Sequence, residues 1–336
     1  MSASPPVVLF AISDSTRKKF LPHYDSRQLP PFREEWSAGL TPDEWDNLLR
    51  SLRPEVLVTG WDSNGIREVL SRDPDCSVRY ICHLTGGVKG IISREMIERG
   101  VLISNWGGTI SHTIAEHALL LTLGALRSMP LWRQQMENPH SPQYAITTRS
   151  LRGRKVGIHG FGAIVRRLVS FLKPFDVSIS SYSAGVPAEF FREHGVLRCE
   201  SLEELASNCE IFIELEAWTP QTEGSVNARI LNLLPDGAVF VNVGRGAVVD
   251  EAALGQLAVS GKITVAADVF TREPLPLDSP LMQIPNALLS PHIAGPTQDA
   301  FPLCGDFALS NLRHYLSGRP DQIQGIVTLE IYDRTT

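Results

Sequence analysis

The sequence predicts an α/β protein made of two parallel-sheet domains, and three observations carry that prediction. Nine short apolar or β-branched runs recur along the 336 residues. Most are separated by stretches with helical patterning, and strand alternating with helix means parallel sheets covered on both faces. The alternation breaks only once, at a long apolar helix in the middle of the chain.

The strands are expected, in order, at "VVLFAI" (7–12), "EVLVTG" (55–60) and "VRYICHL" (78–84). A second series follows at "KVGIHGF" (155–161), "VSISSY" (177–182), "IFIEL" (211–215), "AVFVNVG" (238–244), "TVAADVF" (264–270) and "ALLSPHI" (287–293). Helix signals lie between them. "TPDEWDNLLRSL" offers Thr41 as N-cap with Pro42 in the first turn, "SLEELASNC" opens on an S-x-x-E box, and "DEAALGQLAVSGK" stops at Gly261. The long helix should run from about Ser111 to Met129, followed by the polar connection "ENPHSPQYAITTRSLRGR". A boundary near its start gives one discontinuous domain, residues 1–103 plus 296–336, and an inserted one, 104–295. Apolar residues nearly encircle Ala118 to Leu126, so a second subunit is expected to cover one face, as in a homodimer.

Composition narrows the partners. At 43% hydrophobic and 20% charged the chain can bury two cores of ordinary size. A net charge of −6 with scattered Lys and Arg argues against nucleic acid. The stretch "MSASPPVVLFAISDS" has no secretory pattern, so a cytoplasmic location is expected. Ile114 to Leu126, interrupted by Glu116 and His117, falls short of the roughly 20 apolar residues a membrane span needs. Cysteines 76, 82, 199, 209 and 304 form no C-x-x-C pair and no ligand spacing, which predicts reduced packing thiols and no metal.

"GIHGFGAIVRRL", Gly157 to Leu168, follows a strand and opens a helix, the context a dinucleotide loop requires. Gly160 serves the tight turn, Phe161 follows it, and Gly162 lets backbone approach a pyrophosphate faced by the amides of Ala163 and Ile164. Val165 replaces the usual third glycine and is expected to push the helix outward without blocking phosphates. The acidic residue expected after the next strand is Ser183, in "SSYSAG". Its loss removes repulsion against a 2′-phosphate, yet no Arg or Lys between Lys173 and Arg192 grips one, so NAD and NADP both stay open.

Three further stretches, "FVNVGRGAVVDEAAL", "AADVFTREPLPLDSPL" and "LLSPHIAGPT", resemble in order and spacing the D-isomer-specific 2-hydroxyacid dehydrogenase family. The resemblance extends to "TGG" (85–87), "NWGG…AEHALLL" (105–121) and "TPQT" (219–222), while "RRLVSFLKPFD" is similar to a run of glyoxylate and hydroxypyruvate reductases. It implies two Rossmann-like or flavodoxin-like domains with a cleft between them. Matched residue by residue, it makes Arg245 the substrate-binding arginine, Glu273 the acid partner and His292 the acid–base catalyst. It also gives Gly86 and Gly87 to the substrate carboxylate and Asp268 to the nicotinamide carboxamide. Ala217, Thr222, Val243, Gly244 and Ala294 line the cofactor site.

The chemistry agrees with these roles. A planar guanidinium bonds both a carboxylate and a carbonyl oxygen, and an imidazole near neutrality, oriented by a carboxylate, exchanges the proton. The implied partner is a small 2-oxo or 2-hydroxy acid. Singly, each residue has a structural alternative: a strand cap, a solvated turn residue, a core histidine. His117 and His159 are read as structural, and His112 as more exposed than functional. Two departures bear on substrate: "GVKGII" brings Lys89 and Gly90, and "NWGGT" brings Trp106, to positions the family fills otherwise. Val165 and Ser183 also support an alternative, a nucleotide-sensing, corepressor-like protein with little turnover.

Overall fold

The structure is a computed structural model that describes residues 4–73, 75–138 and 145–334. Residues 139–144 of the expected polar connection therefore lie outside the described residues. Contacts divide the chain into two units, residues 1–110 with 296–336, and 111–295.

The first unit holds β1 (Val7–Ala11), β2 (Arg33–Trp36), β3 (Val56–Thr59), β4 (Tyr80–His83) and β5 (Leu102–Ser104) in a parallel sheet of order β2-β1-β3-β4-β5. This is the flavodoxin-like strand order. Val56–Thr59 and Tyr80–His83 are buried at every position, which is why they read as unbroken apolar runs. Thr41 caps Pro42–Leu52 in a full capping box with Glu44. The C-terminal segment returns to β5, where the Val327 amide bonds Ile103 O at 2.8 Å and the Asn105 amide bonds Gly325 O at 3.0 Å.

The second unit holds β6 (Lys155–His159), β7 (Ser178–Tyr182), β8 (Leu197–Arg198), β9 (Ile211–Glu214), β10 (Ala238–Asn242), β11 (Ile263–Ala267) and β12 (Leu288–Leu289). The parallel order is β12-β11-β10-β9-β6-β7-β8. Counted from β6 this is the Rossmann order 3-2-1-4-5-6 with one added strand, and the order reverses between β6 and β9. Two apolar clusters fill its faces, one around Val156, Ile158, Val165 and Leu168, the other around Phe212, Phe240, Leu205 and Leu254.

The structure departs from expectation at four strands and one helix end. β2 reads "REEW", an edge strand protected by charge, and carries no apolar signal. β5 and β8 are only three and two residues long. β12 keeps two residues of the expected 287–293 run, because Pro291 cannot continue a ladder and the chain turns there. The long helix is Ser111–Leu126, stopped by Ser128 in the left-handed region and Pro130 beyond it. Leu120 on this helix is 51% exposed. Among the described residues no helix is long and apolar enough to cross a membrane.

Candidate active site

Arg245, Glu273 and His292 all follow the C-terminal ends of neighbouring parallel strands, β10, β11 and β12, where open α/β sheets bind ligands. His292 Nδ1 donates to Glu273 Oε2 at 2.6 Å, and Glu273 Oε1 accepts from the Phe270 amide at 3.0 Å. A carboxylate only accepts, so this bond fixes the Nδ1 proton and presents Nε2. The pair is half exposed, 48% and 35%, and borders a cavity of about 500 Å³ lined by Phe270, Leu275, Met282 and Leu289. Arg245 bonds Gly244 O at 2.8 Å through Nη1. Desolvation lowers its guanidinium from the ordinary arginine value while the nearby Glu273 carboxylate raises it, so the two charges feel each other.

His292 sits at φ 53°, left-handed backbone that a non-glycine residue holds only when its surroundings enforce it. Asp268 is what enforces it. The His292 amide bonds Asp268 O at 2.9 Å, while the Asp268 carboxylate accepts from Ser290 Oγ (2.6 Å), the Ile293 amide (2.9 Å) and the Ala294 amide (2.8 Å). His117 Nε2 donates to Ser290 Oγ at 2.9 Å and lies 3.4 Å from Asp268 Oδ1. Burial raises the Asp268 pKa, but these donors outweigh it and bring the value down to about 2. The Asp268 side chain, expected at the nicotinamide carboxamide, is 1% exposed and accepts the bonds that hold the His292 loop.

The glycine loop has the shape a dinucleotide requires. Gly160 has φ +106°, and a Cβ there would stand 2.7 Å from Leu215 O, so only glycine fits. Gly162 faces open space, and the helix Ala163–Leu172 starts there without a side-chain cap, leaving its first amides to a ligand. Ala163 is exposed and Ile164 half-buried. Phe161, in contrast, turns inward, 4.1 Å from the Phe191 ring in a stacked pair, so its side chain is core. Val165 is 1% exposed within the same core, where it supplies packing.

At the strand-order reversal lies a polar network that the sequence did not announce. His159 and Glu214 are register partners on β6 and β9, and His159 Nδ1 donates to Glu214 Oε2 at 2.6 Å with both side chains buried. Burial alone would lower the His159 pKa, but the Glu214 carboxylate outweighs it and the value is raised. Glu214 Oε1 accepts from the Glu216 amide at 2.7 Å. Glu216 in turn accepts from Ser183 Oγ at 2.6 Å and from the Ala217 amide at 2.9 Å. Thr222 Oγ1 donates to Ala217 O at 2.6 Å and so shapes the turn; Val243 and Ala294 are buried, and the Gly244 amide bonds Asn242 Oδ1 at 3.1 Å.

In the first unit the turn after β4 carries Gly86 and Gly87. His83 holds it: Nε2 donates to Gly87 O at 3.0 Å and lies 2.6 Å from Thr85 Oγ1, while Thr59 Oγ1 donates to Nδ1 at 2.9 Å. Burial drives the His83 pKa down to about 4, so the ring is neutral. The Trp106 indole stands over Gly86, where a Cβ would come within 2.5 Å of Nε1, and Asn105 Nδ2 bonds Gly86 O at 2.8 Å. Lys89 points its ammonium to the Tyr332 ring, 5.6 Å away. Among the described residues no group of three or more His, Cys, Asp or Glu side chains is placed to hold a metal.

Sequence reasoning missed His83, Glu214, Glu216 and Ser290. Only Glu214 left a trace, a charge inside the otherwise apolar run "IFIEL". Comparison with known proteins adds the family. Residues 119–294, more than half of the chain, match the D-isomer specific 2-hydroxyacid dehydrogenase, NAD binding domain. The chain is 30% identical over 253 residues to a human glyoxylate reductase/hydroxypyruvate reductase, covering 73% of this chain and 76% of that one. It is 28% identical to a D-3-phosphoglycerate dehydrogenase of Methanocaldococcus jannaschii over 84% of its own residues, and it spans about half the length of that relative, 53%. In fold it is similar to the apo D-mandelate dehydrogenase of Rhodotorula graminis, with a TM-score of 0.84 at 21% identity over 96% and 97% of the two chains. The chain belongs to the D-isomer specific 2-hydroxyacid dehydrogenase family.

Proposed function

We propose that the protein is a nicotinamide-dependent oxidoreductase that interconverts a 2-oxo acid and a D-2-hydroxy acid, with glyoxylate or hydroxypyruvate as the first substrates to try. One observation carries this reading: His292 is bonded to Glu273 at 2.6 Å, with Arg245 within electrostatic reach of the same carboxylate. A nicotinamide cofactor, when bound, supplies the hydride. The amides at Gly162, Ala163 and Ile164 would hold its phosphates. Arg245 binds the substrate carboxylate and polarises the C2 carbonyl, a bidentate task suited to a planar guanidinium. His292 holds the transferred proton at Nε2, and Glu273 orients the ring and stabilises the imidazolium. In the same reading Gly86 and Gly87 offer amides to the substrate carboxylate. Residues 104–295 form the cofactor domain, residues 1–103 with 296–336 form the substrate domain, and two copies associate as a homodimer.

The test is oxidation of NADH or NADPH by the purified protein with glyoxylate, hydroxypyruvate or a larger 2-oxo acid. Turnover is expected, and Arg245→Ala is expected to lower kcat/KM by about 10²–10³-fold, the usual loss when a charge-stabilising donor is removed. An Arg245→Ala protein with full turnover would remove the mechanistic basis. Dinucleotide binding without turnover of any 2-oxo acid would favour a nucleotide sensor instead.

A further inference from the structure

We infer that Glu216 reads the 2′ position of the adenosine ribose and selects NAD(H) over NADP(H), an inference that rests on the dinucleotide reading above. In this fold an acidic residue at the end of the second strand usually accepts a bond from the ribose 2′-hydroxyl. Here that position is Ser183, just past β7, and its hydroxyl donates to Glu216 Oε2 at 2.6 Å. Glu216 comes from the other side of the glycine loop, two residues past β9, and β9 and β7 are the two strands that flank β6. The carboxylate missing from one flanking strand is thereby supplied by the other.

The position is built rather than incidental. The Glu216 backbone is pinned by its amide to the buried Glu214 carboxylate at 2.7 Å, and its side chain by the Ala217 amide at 2.9 Å. Ser183 and Glu216 are both half-buried, so a ligand reaches them. A carboxylate accepts about four hydrogen bonds, and these two protein donors leave room for ribose hydroxyls. A 2′-phosphate carries roughly −1.5 to −2 charge where the hydroxyl is neutral, so it meets Glu216 with repulsion. No Lys or Arg between Lys173 and Arg192 offsets it.

The experiment is a fluorescence titration of NADH and of NADPH into the wild-type chain, Glu216→Gln, and the double variant Glu216→Gln/Ser183→Asp. Wild type is expected to bind NADH at least about tenfold more tightly than NADPH. Glu216→Gln should bring that ratio to about one, and the double variant should restore it by returning the carboxylate to the strand end. Wild type binding NADPH as tightly as NADH overturns the inference without any variant. An unchanged ratio in a Glu216→Gln protein that binds both overturns it too, and leaves the dehydrogenase reading standing. If neither dinucleotide binds, both fall.

Discussion

Lowering the pH from 7 to 5 should weaken the first unit through a single buried histidine. His83 is 1% exposed, and its pKa is about 4 against an ordinary 6.5. Between those values the unfolded chain takes up a proton that the folded chain refuses. Stability is therefore fully present above 6.5 and is lost as the pH falls toward 4. The whole gap is worth about 3 kcal/mol, and about 2 kcal/mol of it goes between pH 7 and 5. Carboxylates, with ordinary values near 4, contribute mostly below that window. The assay is urea unfolding at pH 7, 6 and 5, followed by tryptophan fluorescence in a Trp132→Phe/Trp218→Phe background, which leaves Trp36, Trp45, Trp61 and Trp106, all in the first unit. A probe confined to one unit is needed since two-unit chains do not unfold in one step. His83→Asn, which cannot titrate, should cost stability at pH 7 yet show a nearly flat response down to pH 5. A wild type and a variant with the same slope would refute the reasoning. The turn that carries Gly86 and Gly87 is tied to this group, for His83 Nε2 bonds Gly87 O. Hydrogen exchange at the 85–87 amides of the variant should accelerate accordingly.

Two further substitutions test the second unit. Glu273→Gln keeps the size of the side chain but replaces a charge-assisted bond to His292 with a neutral one, so kcat/KM should fall by about tenfold to a hundredfold while NADH binding, read by fluorescence, stays unchanged. Glu214→Gln removes the anion facing His159 in a fully buried pair; a loss of about 3–5 kcal/mol is expected in the opening free energy read by hydrogen exchange of the β6 and β9 amides. Because the His159 pKa is raised, its contribution is present below 6.5 and is lost as the pH climbs past the folded value, the reverse of His83. The wild-type second unit should therefore weaken on alkaline shift, and equal alkaline weakening in Glu214→Gln would show that His159 is not the cause.

What could be read from the sequence is what local pattern and chain order determine. Fully buried strands such as Val56–Thr59 and Ala238–Asn242 announce themselves by unbroken apolar runs, and the glycine loop by the strand before it and the helix after it. Arg245, Glu273 and His292 come together because each follows a neighbouring parallel strand, and parallel strands deliver their C-terminal ends to one edge. Elements without a core signal escaped. β2 is three charges and a tryptophan, and its place in the sheet comes from pairing with β1.

The side chains missed at the site belong to a different class, those whose meaning depends on which strands are neighbours. Ser183 alone reads as a lost acidic residue and leaves the dinucleotide undecided. It acquires an acid only once β9 is known to flank β6, which brings Glu216, 33 residues further on, against it. The same adjacency turns His159 and Glu214, a ring in a glycine loop and a charge in an apolar run, into one buried pair. Asp268 shows a second task that no motif states: its carboxylate holds the loop on which His292 sits in left-handed backbone. Motifs name the groups that touch substrate. The groups that hold them still are chosen by sheet order, because any acceptor that strand pairing brings within bonding distance serves as well as the one a motif prescribes.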